Sequence, residues 1–181
     1  MTNPSEQSGR DTPPSPLPPY ESPLMLRAVE LATSYVGTEE SPDGSNRGLL
    51  VDAWVRGHEG RFGYLVPKLD SVKGVPWCAR FAADMISQAA RDLEVFDPLR
   101  GAGDLASAYK WRRWAKSSGR LRTDAAPGYV GLLLHSDQSG HVVLCRQVRG
   151  DYVETVEGNA RGAVRVLLRP TESFAAWVRV E

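Results

Sequence analysis

Pro76-Trp77-Cys78-Ala79-Arg80-Phe81 opens a segment in which apolar residues recur at i+3, i+4, i+7 and i+11 from the cysteine. This spacing predicts a helix with one apolar face and with Cys78 at its N-terminal end. Pro76 suits the start, because the N–H that proline lacks has no intrahelical partner there. The opposite face is polar and is predicted to be solvated, with Arg80, Asp84, Gln88 and Arg91 along it.

The chemistry of Cys78 depends on this position. The N–H groups and the dipole of a helix N-terminus favour a thiolate over a thiol. A buried and inert thiol is the alternative, since free cysteine is among the most buried residue types. The helix by itself leaves both interpretations open.

The composition excludes several classes of protein. The chain has 181 residues, of which 41% are hydrophobic and 24% charged, and its formal net charge is +0. This balance gives no electrostatic reason to expect nucleic acid or an anionic membrane as a partner. The two cysteines, Cys78 and Cys145, are too few for a disulfide framework, and no apolar run reaches the length that spans a bilayer.

The N-terminal residues differ in composition from the rest of the chain. Residues 1–23 are rich in proline and serine and are predicted to form a disordered tail, followed by one domain over residues 24–181. The tail has no apolar core of a secretory signal. We therefore expect synthesis in the cytoplasm without such a signal, so that a substrate outside the cytoplasm is reached only after delivery by another system.

The periodicity changes from helical to strand-like along the chain. Helices are predicted over residues 24–36, 49–56, 78–89 and 105–117. Strands are predicted over residues 129–134, 141–147, 152–157, 163–168 and 174–178, with turn residues between them. Helices followed by consecutive strands indicate an α+β fold with an antiparallel sheet.

Two neighbouring predicted strands bring together the groups that cysteine acyl transfer requires. Strand alternation places His141 on one face of its strand, and Glu157, with Asn159 just beyond, on one face of the next. An imidazole can take the thiol proton and return it to the leaving amine, while an acceptor on its other nitrogen fixes its orientation. His135 is the competing base, although its surroundings favour a turn, and His58 is predicted to lie at the surface.

Three blocks of the sequence resemble the signature blocks of CHAP domains, which are cysteine, histidine-dependent amidohydrolases and peptidases. They are Trp77-Cys78-Ala79-Arg80-Phe81, Gly140-His141-Val142 and Glu157-Gly158-Asn159. The resemblance extends to Gly44-Ser45-Asn46-Arg47-Gly48 and Trp111-Arg112-Arg113-Trp114-Ala115, and so covers about residues 24–180. It implies a papain-like α+β fold in which N-terminal helices pack on an antiparallel sheet.

The resemblance also implies the roles of individual residues. Cys78 would be the nucleophile, His141 the general base and acid, and Glu157 the residue that orients His141, with Asn159 completing the polar set. One departure is Pro127-Gly128-Tyr129, where family members often have Pro-Gly-Asp.

Two further residues, Trp77 and Asn46, are expected to line the substrate groove. No cofactor and no metal are expected. A zinc site from Cys78, His141, Cys145 and Glu157 lacks a compact ligand pair such as Cys-x-x-Cys. Asp43, Ser45 and Asn46 offer oxygen ligands for calcium but do not form a regular acidic loop. Cys145 is therefore interpreted as a core residue.

The expected activity, by resemblance, is hydrolysis of an amide bond of peptidoglycan, either at the glycan–peptide junction or within the peptide. Peptidoglycan would then be the main partner, with neither nucleic acid nor membrane, and with a delivery partner or an immunity protein as additions. Two alternatives stay open: another kind of cysteine amidase, either an NlpC-type endopeptidase or an amidase that acts on small amides outside the wall, and a catalytically silent wall-binding module.

Overall fold

The computed structural model describes residues 10–11, 13, 16–17, 19–61, 74–135 and 139–181. For residues 10–11 and 58–61 the backbone alone is described. Cys78, His141, Glu157 and Asn159 all lie within the described ranges, so their relative placement follows directly.

Four α-helices occur among the described residues, as the periodicity predicts. They are α1 (Pro23–Ser34), α2 (Leu49–Arg61), α3 (Cys78–Asp92) and α4 (Ala108–Ser117). The helix α4 begins three residues later than predicted, because Ser107 caps it: the Ser107 hydroxyl accepts from the backbone N–H of Lys110 at 3.3 Å.

The strands of the described residues form one antiparallel sheet. In chain order they are β1 (Arg10–Asp11), β2 (Leu121–Arg122), β3 (Val130–Leu134), β4 (Gly140–Arg149), β5 (Tyr152–Ala160), β6 (Ala163–Pro170) and β7 (Ala176–Val178). Their order across the sheet is β1-β6-β5-β4-β3-β7-β2. The five predicted strands are confirmed, whereas the two-residue strands β1 and β2 carry too little periodic signal to be predicted.

The helix α3 lies at the centre of the domain. It packs on β4 and β5 of the sheet and also against α1 and α2. Asp84 and Ser87 are consequently buried, so the prediction of a solvated opposite face is wrong for Asp84. The reason is tertiary, since helical periodicity cannot show that two further helices will pack against the same helix.

A close approach of backbone to side chains sets the distance between α3 and the sheet. Gly158 on β5 lies against the rings of Phe81 and Trp77, and a methyl group at position 158 would be 2.7 Å from atoms of both. A residue without a side chain is therefore required at this contact, which brings the end of β5 directly against the start of α3.

Some residues of the predicted tail have defined contacts. The backbone of β1 pairs with β6, Arg10 opposite Leu168, and the Tyr20 hydroxyl donates to the carbonyl of Arg146 at 2.8 Å. The domain boundary at residue 23 stays a prediction. In the described part of the chain, no helix combines the length and the apolar character needed to cross a membrane.

Candidate active site

Cys78 is the first residue of α3 and lies where that helix meets β4. Its side chain is nearly buried, with 6% of its surface exposed. The sulfur lies close enough to His141 and to the backbone of Val142 and Ala79 for these groups to act on its pKa. The sequence-based expectation of a cysteine at a helix N-terminus therefore agrees with its position in the structure.

Cys78 and His141 form a coupled pair. Burial acts to raise the pKa of the Cys78 thiol, but the charge and hydrogen bond of His141 and the two backbone groups outweigh it and lower the pKa. Burial acts in the opposite sense on His141, whose pKa is nevertheless raised by the Cys78 charge and hydrogen bond and by Glu157. These directions favour a thiolate beside an imidazolium.

Glu157 lies on the other side of the imidazole ring. Its Oε2 is 2.8 Å from Nε2 of His141, which leaves Nδ1 as the nitrogen for the Cys78 sulfur. The two side chains come from neighbouring strands, since Leu144 of β4 faces Val156 of β5. Glu157 thereby fixes the orientation of the ring, as the strand pattern predicts.

A residue that the sequence did not indicate holds Glu157 in place. Arg169 on β6 donates from Nε to Oε1 at 2.6 Å and from Nη2 to Oε2 at 2.7 Å, and the Thr155 hydroxyl also donates to Oε1. Burial acts to raise the pKa of Glu157, but Arg169 and then His141 hold it far below its usual range. The one available signal was an arginine just past the predicted end of an apolar strand.

Trp77 directly precedes Cys78 in the chain and is buried next to the site. Its ring is fully buried, stacks on Trp54 with 5.4 Å between centroids, and meets Phe81 edge to face. Its Nε1 donates to Oε1 of Glu40 at 2.9 Å. This burial argues against the expectation that Trp77 lines the substrate groove, because the ring has no surface left for a substrate.

Asn159 and Asn46 meet in a partly buried network beside Trp77 and Glu40. Asn159 has a positive φ of 61°, which departs from the extended backbone of a regular strand. The amide orientation that satisfies both ends lets Nδ2 donate to Glu40 Oε1 at 3.0 Å and Oδ1 accept from the Trp77 backbone N–H at 3.3 Å. Asn46 contacts this amide at 3.0 Å, and its expected role as a groove-lining residue that meets the substrate stays a prediction.

A small depression opens beside the imidazole. It is lined by Leu133, His135, His141, Asn159, Ala160, Arg161 and Arg169. His135 therefore lies near His141, on the edge of the depression. The lining described here contains basic and neutral residues and no carboxylate.

The remaining candidate residues are placed elsewhere. Cys145 is fully buried with Val153 and Trp177, and burial raises its pKa, which confirms the interpretation as a core residue. Within the described ranges, no group of three or more histidine, cysteine, aspartate or glutamate side chains is arranged to hold a metal ion. The side chain of His58 lies outside the described residues.

The arrangement brings together the groups that cysteine acyl transfer requires: a thiol at a helix N-terminus, an imidazole beside it, and a buried carboxylate on the far nitrogen of the ring. Comparison with protein families agrees, because the model of the CHAP domain matches residues 70–159. The chain therefore contains a CHAP domain. The CHAP family suggests hydrolases of the peptidoglycan amidase and peptidase type. No curated protein and no solved structure matches the chain significantly.

Proposed function

We propose that the protein hydrolyses an amide bond of peptidoglycan through an acyl-enzyme on Cys78. The bond is either the one between N-acetylmuramic acid and L-alanine or one within the peptide. The observation that carries this proposal is the contact series from Cys78 to His141 to Glu157, with 2.8 Å between the last two. The CHAP match supplies the class of substrate.

In the first half of the reaction the Cys78 thiolate attacks the carbonyl carbon of the amide. The negative charge moves to the carbonyl oxygen, and we infer that the backbone N–H of Cys78, the first residue of α3, stabilises it. The His141 imidazolium gives its proton to the amide nitrogen, the carbon–nitrogen bond breaks, and the amine leaves. A thioester on Cys78 and a neutral His141 remain.

In the second half a water molecule attacks the thioester. Neutral His141 takes a proton from this water, and the resulting oxygen nucleophile adds to the carbonyl carbon. The carbon–sulfur bond then breaks and releases the carboxylic acid, and Cys78 and His141 return to the thiolate–imidazolium pair. Glu157 keeps the ring oriented through both halves without exchanging a proton itself.

We also infer that the domain is papain-like in arrangement. A cysteine at the N-terminus of a helix that packs on an antiparallel sheet, with the histidine on an adjoining strand, is the order that this class uses. The helix α3 and the strands β4 and β5 stand in this relation. The likeness concerns the relative placement of these three elements.

The test is digestion of purified peptidoglycan by the parent protein, by Cys78→Ala and by Cys145→Ala as the matched cysteine control. We expect soluble fragments from the parent and from Cys145→Ala, and none from Cys78→Ala. Fragment masses and newly formed amino termini distinguish cleavage at the glycan–peptide bond from cleavage within the peptide.

Two results would contradict the proposal. Equal inactivity of the folded parent and Cys78→Ala on several wall types, with retained binding, would indicate a silent wall-binding module. Cysteine-dependent turnover of small amides without release of wall fragments would indicate an amidase whose substrate is not the wall.

A further inference from the structure

The buried contact between Arg169 and Glu157 is more elaborate than orienting one histidine requires. Both carboxylate oxygens accept from the guanidinium, at 2.6 and 2.7 Å, and the two side chains are 3% and 0% exposed. Bidentate contacts of this kind are among the strongest hydrogen bonds in proteins, and the planar guanidinium holds the carboxylate in one orientation. Desolvating both charges is costly, so their retention in the core calls for a reason.

We propose that Arg169 is a positioning residue that keeps Glu157 as a buried carboxylate and thereby maintains His141 as an imidazolium beside the Cys78 thiolate. This inference rests on the proposed function, because it concerns the charge state of the same nucleophile. Arg169 acts through Glu157 and need not touch the substrate.

The physical argument is one of charge balance in a buried site. From Arg169 through Glu157 and His141 to Cys78 the charges alternate, and together they sum to zero when the thiolate forms. Without the guanidinium, formation of the thiolate would leave a net negative charge where little water reaches it, which is unfavourable. Loss of the positive charge therefore moves thiolate formation to higher pH.

The other groups around Glu157 do not replace this charge. Thr155 on β5 contributes a neutral hydroxyl, and His141 on β4 is the group being controlled. Arg165 on β6 faces Glu157 in the strand register, yet its Nε donates to the carbonyl of Ala160 at 3.1 Å. His135 and Arg161 line the small depression beside His141, and no bond from either of them to Glu157 is observed among the described contacts.

The position of Arg169 in the chain makes the inference specific to this structure. The match to the CHAP family ends at residue 159, ten residues before Arg169. The pairing of β5 with β6 returns Arg169 to the neighbourhood of the site, since Arg169 faces Val153 and Leu167 faces Thr155. Antiparallel partners share one face of the sheet, so Arg169 and Glu157 lie on the same face, and the long Arg169 side chain reaches along the strand to the carboxylate.

The test measures the alkylation rate of Cys78 by iodoacetamide as a function of pH, with peptide mass mapping to separate Cys78 from Cys145. The variants are Arg169→Gln, which removes the charge, and Arg169→Lys, which keeps it with a different geometry. Arg165→Gln is the matched control, because it removes an arginine from the same strand. Protection of Cys145 from the reagent reports that each variant is folded.

We expect Arg169→Gln to shift the pH dependence of Cys78 alkylation upward by about one pH unit or more, which is about tenfold in rate on the acid side. Arg169→Lys should restore the position of the profile, and Arg165→Gln should leave it at that of the parent. A folded Arg169→Gln variant with the profile of the parent would overturn the inference. A purely structural role predicts that result together with lower stability.

A second variant covers the case in which Arg169→Gln does not fold because Glu157 is left buried without its partner. The double change Glu157→Gln with Arg169→Gln replaces both charges by amides that can bond to each other. We expect its Cys78 to react at mildly acid pH like an ordinary thiol, and reactivity equal to the parent would overturn the inference. The alkylation assay contains no peptidoglycan. Inactivity on the wall would therefore contradict the proposed function, whereas an unshifted alkylation profile would contradict the role of Arg169.

Discussion

Replacing Gly158 by alanine tests how closely the start of α3 must approach β5. The added methyl carbon would lie 2.7 Å from ring atoms of Phe81 and Trp77, which is 0.7 Å shorter than the 3.4 Å at which ordinary contact begins. Neither ring can move aside freely, because both are buried and Trp77 is also stacked on Trp54. The strand and the helix must therefore separate.

Overpacking of this kind costs about 2–3 kcal/mol. For a chain of this length, that corresponds to a melting temperature lower by about 5–10 °C and a urea midpoint lower by about 1 M. Glu157 precedes Gly158 directly, so the same separation should also disturb its contact with His141. We expect slower alkylation of Cys78 in addition to the lower stability.

Urea unfolding of two further variants isolates the cause. Gly150→Ala, at the tip of the β4–β5 hairpin, has a φ of 59° and open space around the new methyl group, so it reports backbone strain alone, about 1 kcal/mol. Combining Gly158→Ala with Phe81→Leu should cost less than the sum of the two single changes. Equal effects at the two glycines, with no coupling to Phe81, would refute the reasoning.

Two further predictions concern the buried polar contacts beneath the site. Glu157→Gln should lower the free energy of unfolding near neutral pH by about 3 kcal/mol, because Arg169 is left buried without an anion. The pKa of Glu157 is lowered in the folded state, so its contribution is present above the unfolded pKa and is lost as the pH falls towards the folded value. Urea midpoints should therefore drop more steeply on acidification in the parent than in the variant, and parallel curves would contradict this. Trp77→Phe should lower the free energy of unfolding by about 2 kcal/mol, because Glu40 loses the Trp77 N–H donor at 2.9 Å. Trp54→Phe is the control for lost ring area. An equal loss of stability in that variant would show that the hydrogen bond contributes nothing.

Local periodicity accounts for most of the secondary structure. The helix from Cys78 and the strands around His141 and Glu157 were predictable because their apolar residues recur with periods of 3.6 and 2. The alternation also indicated that His141 and Glu157 share a face, and the structure places them 2.8 Å apart. It does not apply at Asn159, where a positive φ departs from the extended backbone of a regular strand and the amide meets Trp77 and Glu40.

The sequence by itself determined the order of elements, the cysteine at the start of α3 and the identity of the CHAP domain, because each is expressed in adjacent residues. Tertiary structure alone decided that Arg169 holds Glu157, that Glu40 accepts a hydrogen bond from Trp77, and that Asp84 on the polar stripe of α3 is buried. These contacts join residues whose separation in the chain carries no periodic signal. They form because buried charges and N–H groups must find partners, and only the packed sheet and helices determine which partners are within reach.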